Sequence, residues 1–357
     1  MGKPSPYQAN PSDRARREQV VKTLDDSQTH VKMRRARSSR WVRFAAVAVL
    51  ATATAMGAAM QAGKTRLPNM PPDLMPERPP IVGISHIGLK VSDIAATRQF
   101  YGHVLGFDEP FHADNPDGTL SHTYFKVNDR QYIEIFPSLK NPDEDRLSHI
   151  AFETADSKAL RDYLAIKGVT VPDQVKPGRD GNLNFTITDP DGHRVEFVQY
   201  LPGSEHSNAF GKFMPETRIS DHIRHLGVTI KDRAAADKFY KDILGFRVGW
   251  YGGVTDQRTD YVDMVVPDGH DWLEYMLNVN NPTPRRLGGA HHLSLQVPNI
   301  REGAQTLTRR GLKAIEPQIG RNGSWQISIY DPDGTRVELM EPKPARTPCC
   351  SILPDWQ

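Results

Sequence analysis

Eight ionisable residues lie where an alternating strand pattern would bury them, and they fall into two matching sets. The first set is His86, Glu134, His149 and Glu196, and the second is His225, Glu274, His292 and Glu338. The gaps run 48, 15 and 47 residues in one set and 49, 18 and 46 in the other. Each residue sits among Ile, Leu, Phe and Val, so one face of a strand carries it inward. Burying four such groups separately is costly, and their pKa values would shift to neutralise them. A shared divalent ion removes that cost, because two neutral imidazoles and two carboxylates leave an M²⁺ site formally neutral. Two nitrogen and two oxygen donors with open positions suit Fe, Mn, Zn, Ni or Co, and disfavour Ca²⁺, for which imidazole is a poor ligand. A single His or Glu on a half-exposed sheet needs no metal. The same four types at matching places in two copies point to one.

The elements that position these residues also come in two copies. SHIGLKVSDIAATRQFYGHVLGF (85–107) recurs as RHLGVTIKDRAAADKFYKDILGF (224–246) at an offset of 139, and DPDGHRVEF (189–197) recurs as DPDGTRVEL (331–339) at an offset of 142. A drift of three residues is what loop-length changes between fixed elements produce. Two homologous domains follow, 81–202 and 219–342, joined by a linker over 203–218. In the first, Ile84–Val91 alternates as a strand. Asp93 caps a helix whose Ile94, Phe100, Tyr101 and Leu105 share a face, and Gly106 stops it. Strands follow at 121–127 and 131–136. A second round runs from a strand at 147–154 through a helix at 156–168 to strands at 184–189 and 194–200, joined by a DPDG turn. The order βαβββ, four times along the chain, is an α+β fold.

The rest of the chain bounds the function. Residues 1–43 hold eleven Lys/Arg against four Asp/Glu, so with an overall charge of +2 the remaining 314 residues carry −5. A mildly acidic body argues against a nucleic-acid partner. The only cysteines are the adjacent pair Cys349-Cys350, which gives neither a disulfide framework nor a thiolate metal cluster. In residues 1–63 an Arg cluster after Met33 precedes the apolar or small run Phe44–Met60, and Gly57-Ala58-Ala59 offers a cleavage site. This is the shape of a signal peptide, with an uncleaved membrane anchor as the alternative; in both cases the body is exported, periplasmic or extracellular. Residues 64–80 contain six prolines and read as an extended tether, and the Pro-rich tail 343–357 reads as loose.

The FYxxxLGF helix end, the DPDGxxxE hairpin and the His opening the first and third βαβββ units make the body, over about 81–342, similar to the vicinal oxygen chelate (VOC) superfamily, the glyoxalase / bleomycin-resistance / extradiol dioxygenase group. The resemblance implies paired βαβββ units curling into cupped mixed sheets around a metal, with the eight residues above as ligands. The units pair in one of two ways. His86, Glu134, His149 and Glu196 form one site, or His86 and Glu134 join His292 and Glu338. The resemblance further implies glyoxalase-like lyase or isomerase chemistry on a small vicinal-oxygen substrate through a metal-stabilised enediolate, with Glu196 and Glu338 moving the proton. The alternatives are an Fe(II) extradiol dioxygenase, which needs two His and one carboxylate, and a metal-free small-molecule binding protein. Glu134 and Glu274 favour the four-ligand lyase pattern. His122, His193, His270 and His291 are candidate supporting acid–base groups, each otherwise a surface or turn histidine, and alternation points His291 away from His292. Tyr124, Tyr132 and Tyr261 line the cups or pack in the core. Export weakens a glutathione-dependent reading, and any membrane contact is confined to the N-terminal segment.

Overall fold

The computed structural model of the protein describes residues 76–351. The stretch on which the export expectation rests lies outside the described residues, as do residues 64–75 of the Pro-rich tether. No helix among the described residues is long and apolar enough to cross a membrane.

The first unit opens with β1 (Ile81–Lys90) and helix α1, which starts as Ile94–Thr97 and widens to π geometry over Arg98–Val104. The Asp93 carboxylate accepts from the Ala95 and Ala96 amides and so satisfies free donors of the first turn. In the widened part the Leu105 amide bonds the Phe100 carbonyl five residues back at 2.9 Å, and Phe100, Tyr101 and Val104 all turn to the core. Gly106, at φ 79°, then reverses the chain where a side chain would be strained. Strands β2 (Phe111–Asp114), β3 (Leu120–Lys126) and β4 (Tyr132–Phe136) complete the unit.

The second unit is β5 (Leu147–Thr154), α2 (Ser157–Ile166), β6 (Lys176–Pro177), β7 (Leu183–Thr188) and β8 (Arg194–Gln199), with the DPDG turn between β7 and β8. A short helix α3 (Glu205–Asn208) sits in the linker. The second domain repeats the order with β9 (Ile223–Thr229), α4 (Arg233–Ala236, π over Asp237–Ile243), β10 (Arg247–Gly252), β11 (Tyr261–Val265) and β12 (Trp272–Met276). After the extra helix α5 (Pro284–Ala290) come β13 (His292–Gln296), α6 (Ile300–Arg309), β14 (Gln318–Ile319), β15 (Trp325–Tyr330) and β16 (Arg336–Met340).

Two eight-stranded mixed sheets result, in the orders β2-β3-β4-β1-β5-β8-β7-β6 and β10-β11-β12-β9-β13-β16-β15-β14. The pairing left open by spacing is thereby decided. The two units of one domain meet through antiparallel β1 and β5, or β9 and β13, so each cup is built within its own domain.

One continuous apolar core joins the two domains, with Phe152 packed edge-on against Phe246. Each DPDG turn docks on the other domain. The Tyr240 hydroxyl donates to Asp189 at 2.9 Å, and the Tyr101 hydroxyl donates to Asp331 at 3.1 Å. The tail, expected to be loose, is pinned as far as residue 351. Cys349 bonds the Arg321 carbonyl, Ala345 bonds that of Gly323, and the Trp250 indole donates to the Cys349 carbonyl. Cys349 and Cys350 are bonded to each other and so link no separate elements.

Candidate metal centres

In the first cup four strands deliver one donor each: His86 from β1, Glu134 from β4, His149 from β5 and Glu196 from β8. The Nε2 atoms of His86 and His149 lie 2.8 Å apart. Glu134 Oε2 is 3.4 Å from His86 and 3.1 Å from His149, and Glu196 Oε2 is 3.1 and 3.2 Å from the same two nitrogens. Donors about 2.0–2.2 Å from one ion, and 90–109° apart around it, stand about 2.8–3.6 Å from each other, so the compact group His86, Glu134 and His149 fits a single small divalent ion, and Glu196 stands against the two imidazoles on its other side.

The surroundings fix these donors. Gly88 faces His149 across the β1–β5 ladder, where a Cβ would come within 2.3 Å of the imidazole, so only glycine lets the ring lie flat there. Gly227 does the same for His292, at 2.0 Å. Ser85 Oγ and Ser148 Oγ meet the Nδ1 atoms of His86 and His149 at 3.1 and 3.2 Å, which aims both Nε2 atoms at the centre. The Tyr124 hydroxyl donates to Glu134 Oε1 at 2.7 Å. Burial pushes the His149 pKa down, but hydrogen bonds to Glu134 and Glu196 outweigh it and hold the ring up to about 10. Burial raises Glu196, and the bonds from His149 and His86 more than reverse that, leaving it well below the usual carboxylate range.

The second cup has the same four residue types in a different state. His225 and His292 bring their Nε2 atoms to 3.1 Å, and Glu338 Oε2 lies 3.2 Å from His225, but Glu274 is set back at 4.0 Å from His225 and 3.3 Å from His292. Three donors, His225, His292 and Glu338, therefore form the compact group. The Arg336 guanidinium reaches in from β16, with Nη2 2.6 Å from His292 Nε2. Burial, and then the Arg336 charge, push His292 down to about 4. The His225 Nδ1 is buried without a hydrogen-bond partner, so this ring lacks the fixation that Ser85 gives His86. Asp263 stands opposite Glu274, where Tyr124 stands opposite Glu134. Burial and the charges of Glu274 and Glu338 push its carboxyl well up.

Of the supporting histidines, only His122 belongs to a cup, with Nε2 3.8 Å from Glu134 Oε1. His193 and His291 meet edge-on between the domains, their Nδ1 atoms bonded to Asp189 and Asp145. His291 thus faces away from His292, as alternation predicts. His270 lines a crevice between the domains, outside both cups. Tyr124 lines the first cup and Tyr261 the second, whereas Tyr132 is buried against His206 of α3. Sequence reasoning missed Ser85, Ser148, Arg194 and Arg336. A signal was available for the serines: a Ser-His pair recurs in β1 and β5 of the first domain, against Arg-His and His-His at the matching places in the second.

The family model described as the Glyoxalase/Bleomycin resistance protein/Dioxygenase superfamily matches residues 83–197 and 222–339. Biphenyl-2,3-diol 1,2-dioxygenase of Paraburkholderia xenovorans (strain LB400) is 27% identical over 285 residues, which cover 72% of this chain and 87% of that protein. Lactoylglutathione lyase of Neisseria meningitidis serogroup A is 25% identical over 127 residues, covering 34% of this chain and 92% of the relative. The Mn(II)-bound glyoxalase from Novosphingobium aromaticivorans superposes with a TM-score of 0.57 at 19% identity, covering 77% of this chain and 86% of that one, a likeness of fold.

Proposed function

The chain belongs to the glyoxalase / bleomycin resistance protein / dioxygenase superfamily, and from that premise we propose that its first cup is a metal-dependent lyase or isomerase centre for a small vicinal-oxygen substrate. The observation that carries this reading is the division of labour between the two carboxylates. Glu134 is clamped on both oxygens, by Tyr124 on one and by His149 on the other. Glu196 makes its contacts through Oε2, and its side chain is 14% exposed against 6% for Glu134, so it is the carboxylate facing the opening.

His86, Glu134 and His149, with Glu196 beside them, would hold a divalent ion, which would supply Lewis acidity toward two adjacent substrate oxygens. Glu196, ionised at neutral pH, takes a proton from the carbon beside those oxygens and returns it to the neighbouring one. Tyr124 keeps Glu134 in place as a donor while Glu196 moves, and Phe136 and Tyr124 wall the cavity, whose volume is about 330 Å³. The likeness of one domain to lactoylglutathione lyase supports the same chemistry.

The test is a screen of α-hydroxyketones and catechols on metal-loaded protein, with Glu196→Gln beside the parent. Turnover should fall by about 10²–10⁴ with metal retained, the worth of a positioned base. Oxygen uptake with a catechol that survives Glu134→Gln would overturn the proposal. That outcome is the second reading, an extradiol dioxygenase. It is favoured by the compact two-His, one-carboxylate group in each cup, His86–Glu134–His149 and His225–His292–Glu338, and by the likeness of the chain to a biphenyl-diol dioxygenase. The basic-then-apolar N-terminal stretch supports export of this activity, and N-terminal sequencing of mature protein beginning near Met60 outside the cytoplasm checks it.

A further inference from the structure

The repeat places an arginine two residues before the last-strand glutamate in both domains, Arg194 before Glu196 and Arg336 before Glu338. A period of two puts each arginine on the same sheet face as its glutamate, and both pairs line their cups. A second arginine recurs on the loop before the hairpin, Arg179 in GRDG and Arg321 in GRNG. In the second cup both are committed. Arg336 lies on the donor floor, against His292 at 2.6 Å, and Arg321 is tied to Asp256 and the Gly253 carbonyl. In the first cup they are not. The Arg179 side chain donates only to the Asp114 carbonyl, and the guanidinium of Arg194, exposed at the rim, makes no hydrogen bond or ion pair among the described residues.

Lys90 adds a third cation to the lining of the first cup, where Asp180 is the one carboxylate besides Glu134 and Glu196. With Glu134 and Glu196 balanced by a divalent ion, the rim keeps an excess of two positive charges. Lys90 also acts on Asp145 beyond the lining, so the two arginines, neither ion-paired among the described residues, are the cations that favour an anionic ligand above this small polar cavity. The second domain shows that an arginine at this register reaches the floor, so Arg194 can reach whatever is bound there.

We propose that the substrate of the first cup carries a carboxylate, held by Arg194 at the rim while its vicinal oxygens face the His86–Glu134–His149–Glu196 cluster. Two residues of strand separate Arg194 from Glu196, about 6–7 Å, so the carboxylate stands a few bonds from the chelating oxygens. Guanidinium is the group suited to such a planar, two-pronged partner.

This inference rests on the vicinal-oxygen reading of the cup, and the test separates the two. Protein loaded with Zn²⁺ is titrated calorimetrically with 3,4-dihydroxybenzoate and with its neutral methyl ester. Both probes present the same adjacent oxygens, and only the acid presents a carboxylate. The acid should bind about tenfold to a hundredfold tighter, the range of one charge-assisted contact. Arg194→Gln should bring the ratio of the two affinities to within about threefold of one, Arg194→Lys should keep part of the preference, and Arg336→Met should keep all of it. His149→Ala, which dismantles the first cup, should abolish binding of both probes there. Equal binding of acid and ester, or a preference that survives Arg194→Gln, overturns the carboxylate assignment and leaves the cup's chemistry standing. If neither probe binds zinc-loaded protein, the vicinal-oxygen reading itself fails and the carboxylate assignment falls with it.

Discussion

Arg336→Met should turn two unequal metal sites into two similar ones. In the parent protein the Arg336 guanidinium is 2.6 Å from His292 Nε2 and 3.8 Å from Glu274 Oε2, on the face an incoming ion would use. A divalent ion about 4 Å from a guanidinium is repelled by about 8 kcal/mol at an effective dielectric of 20, so the side chain must swing out before the ion enters. Leaving those partners costs about 1.5–3 kcal/mol, the worth of a hydrogen bond to a charged group. The second cup should therefore bind Mn²⁺ or Zn²⁺ about tenfold to a hundredfold more weakly than the first. Methionine fills a similar volume without the charge. The assay is competition against a chromogenic chelator on stripped protein, with metal per chain counted by mass spectrometry. The parent should show two classes of site, and Arg336→Met should bring the weaker within a few-fold of the stronger. His149→Ala should delete only the tight class and His292→Ala only the weak one. Two equal sites in the parent, or a gap unchanged in Arg336→Met, would refute the reasoning.

Three further outcomes are expected. Gly88→Ala should keep the fold by circular dichroism yet weaken metal binding in the first cup by about a hundredfold, because its Cβ would lie 2.3 Å from the His149 ring and displace a donor. Tyr124→Phe should cost about tenfold in the same chelator titration by freeing Glu134 Oε1, and leave the second cup unchanged. Asp331, pushed up to about 6 mainly by burial, folds with its proton more readily than it unfolds with it. Its contribution is thus favourable below about pH 4 and is lost as pH rises through about 6, a swing of about 3 kcal/mol. Chemical denaturation at pH 4.5 and 7 should show that component in the parent and lack it in Asp331→Asn; an identical pH response in both would refute the assignment.

The gathering of the eight His and Glu residues into two cups was legible because its signal is local and repeated. A strand alternates with period two, a His or Glu interrupts an apolar face, and the DPDG hairpin anchors the last donor of each set. Asp93 and Gly106 likewise announce the start and stop of α1 by chemistry that needs no tertiary context. The pairing of units was not legible, because β1 meeting β5 or meeting β13 leaves every spacing unchanged, and only the long-range ladder distinguishes them. The edge strands β2 and β6 escaped for another reason. Phe111–Asp114 is short, and Lys176–Pro177 contains a proline that only a sheet edge tolerates. Arg194 and Arg336 are the same letter in the same motif, yet one stands free and the other lies on the floor. That difference depends on what surrounds each, including the set-back Glu274, which no spacing records.

The reciprocal seats of Asp189 against Tyr240 and Asp331 against Tyr101 use one patch twice, as the two sides of a twofold-symmetric dimer do. In a dimer of identical chains every substitution appears in both halves, so neither half can change its chemistry alone. Here the halves share one polypeptide, and each can drift independently while the paired tyrosines keep them in register. The drift is visible at the seats themselves, where His193 reaches Asp189 with both its amide and its ring, whereas Thr335 reaches Asp331 with its amide alone. It also reaches the cups, since a plug of guanidinium in one leaves the other untouched. Fusion gives such a molecule licence to keep one cup for turnover and spend the other on a different task.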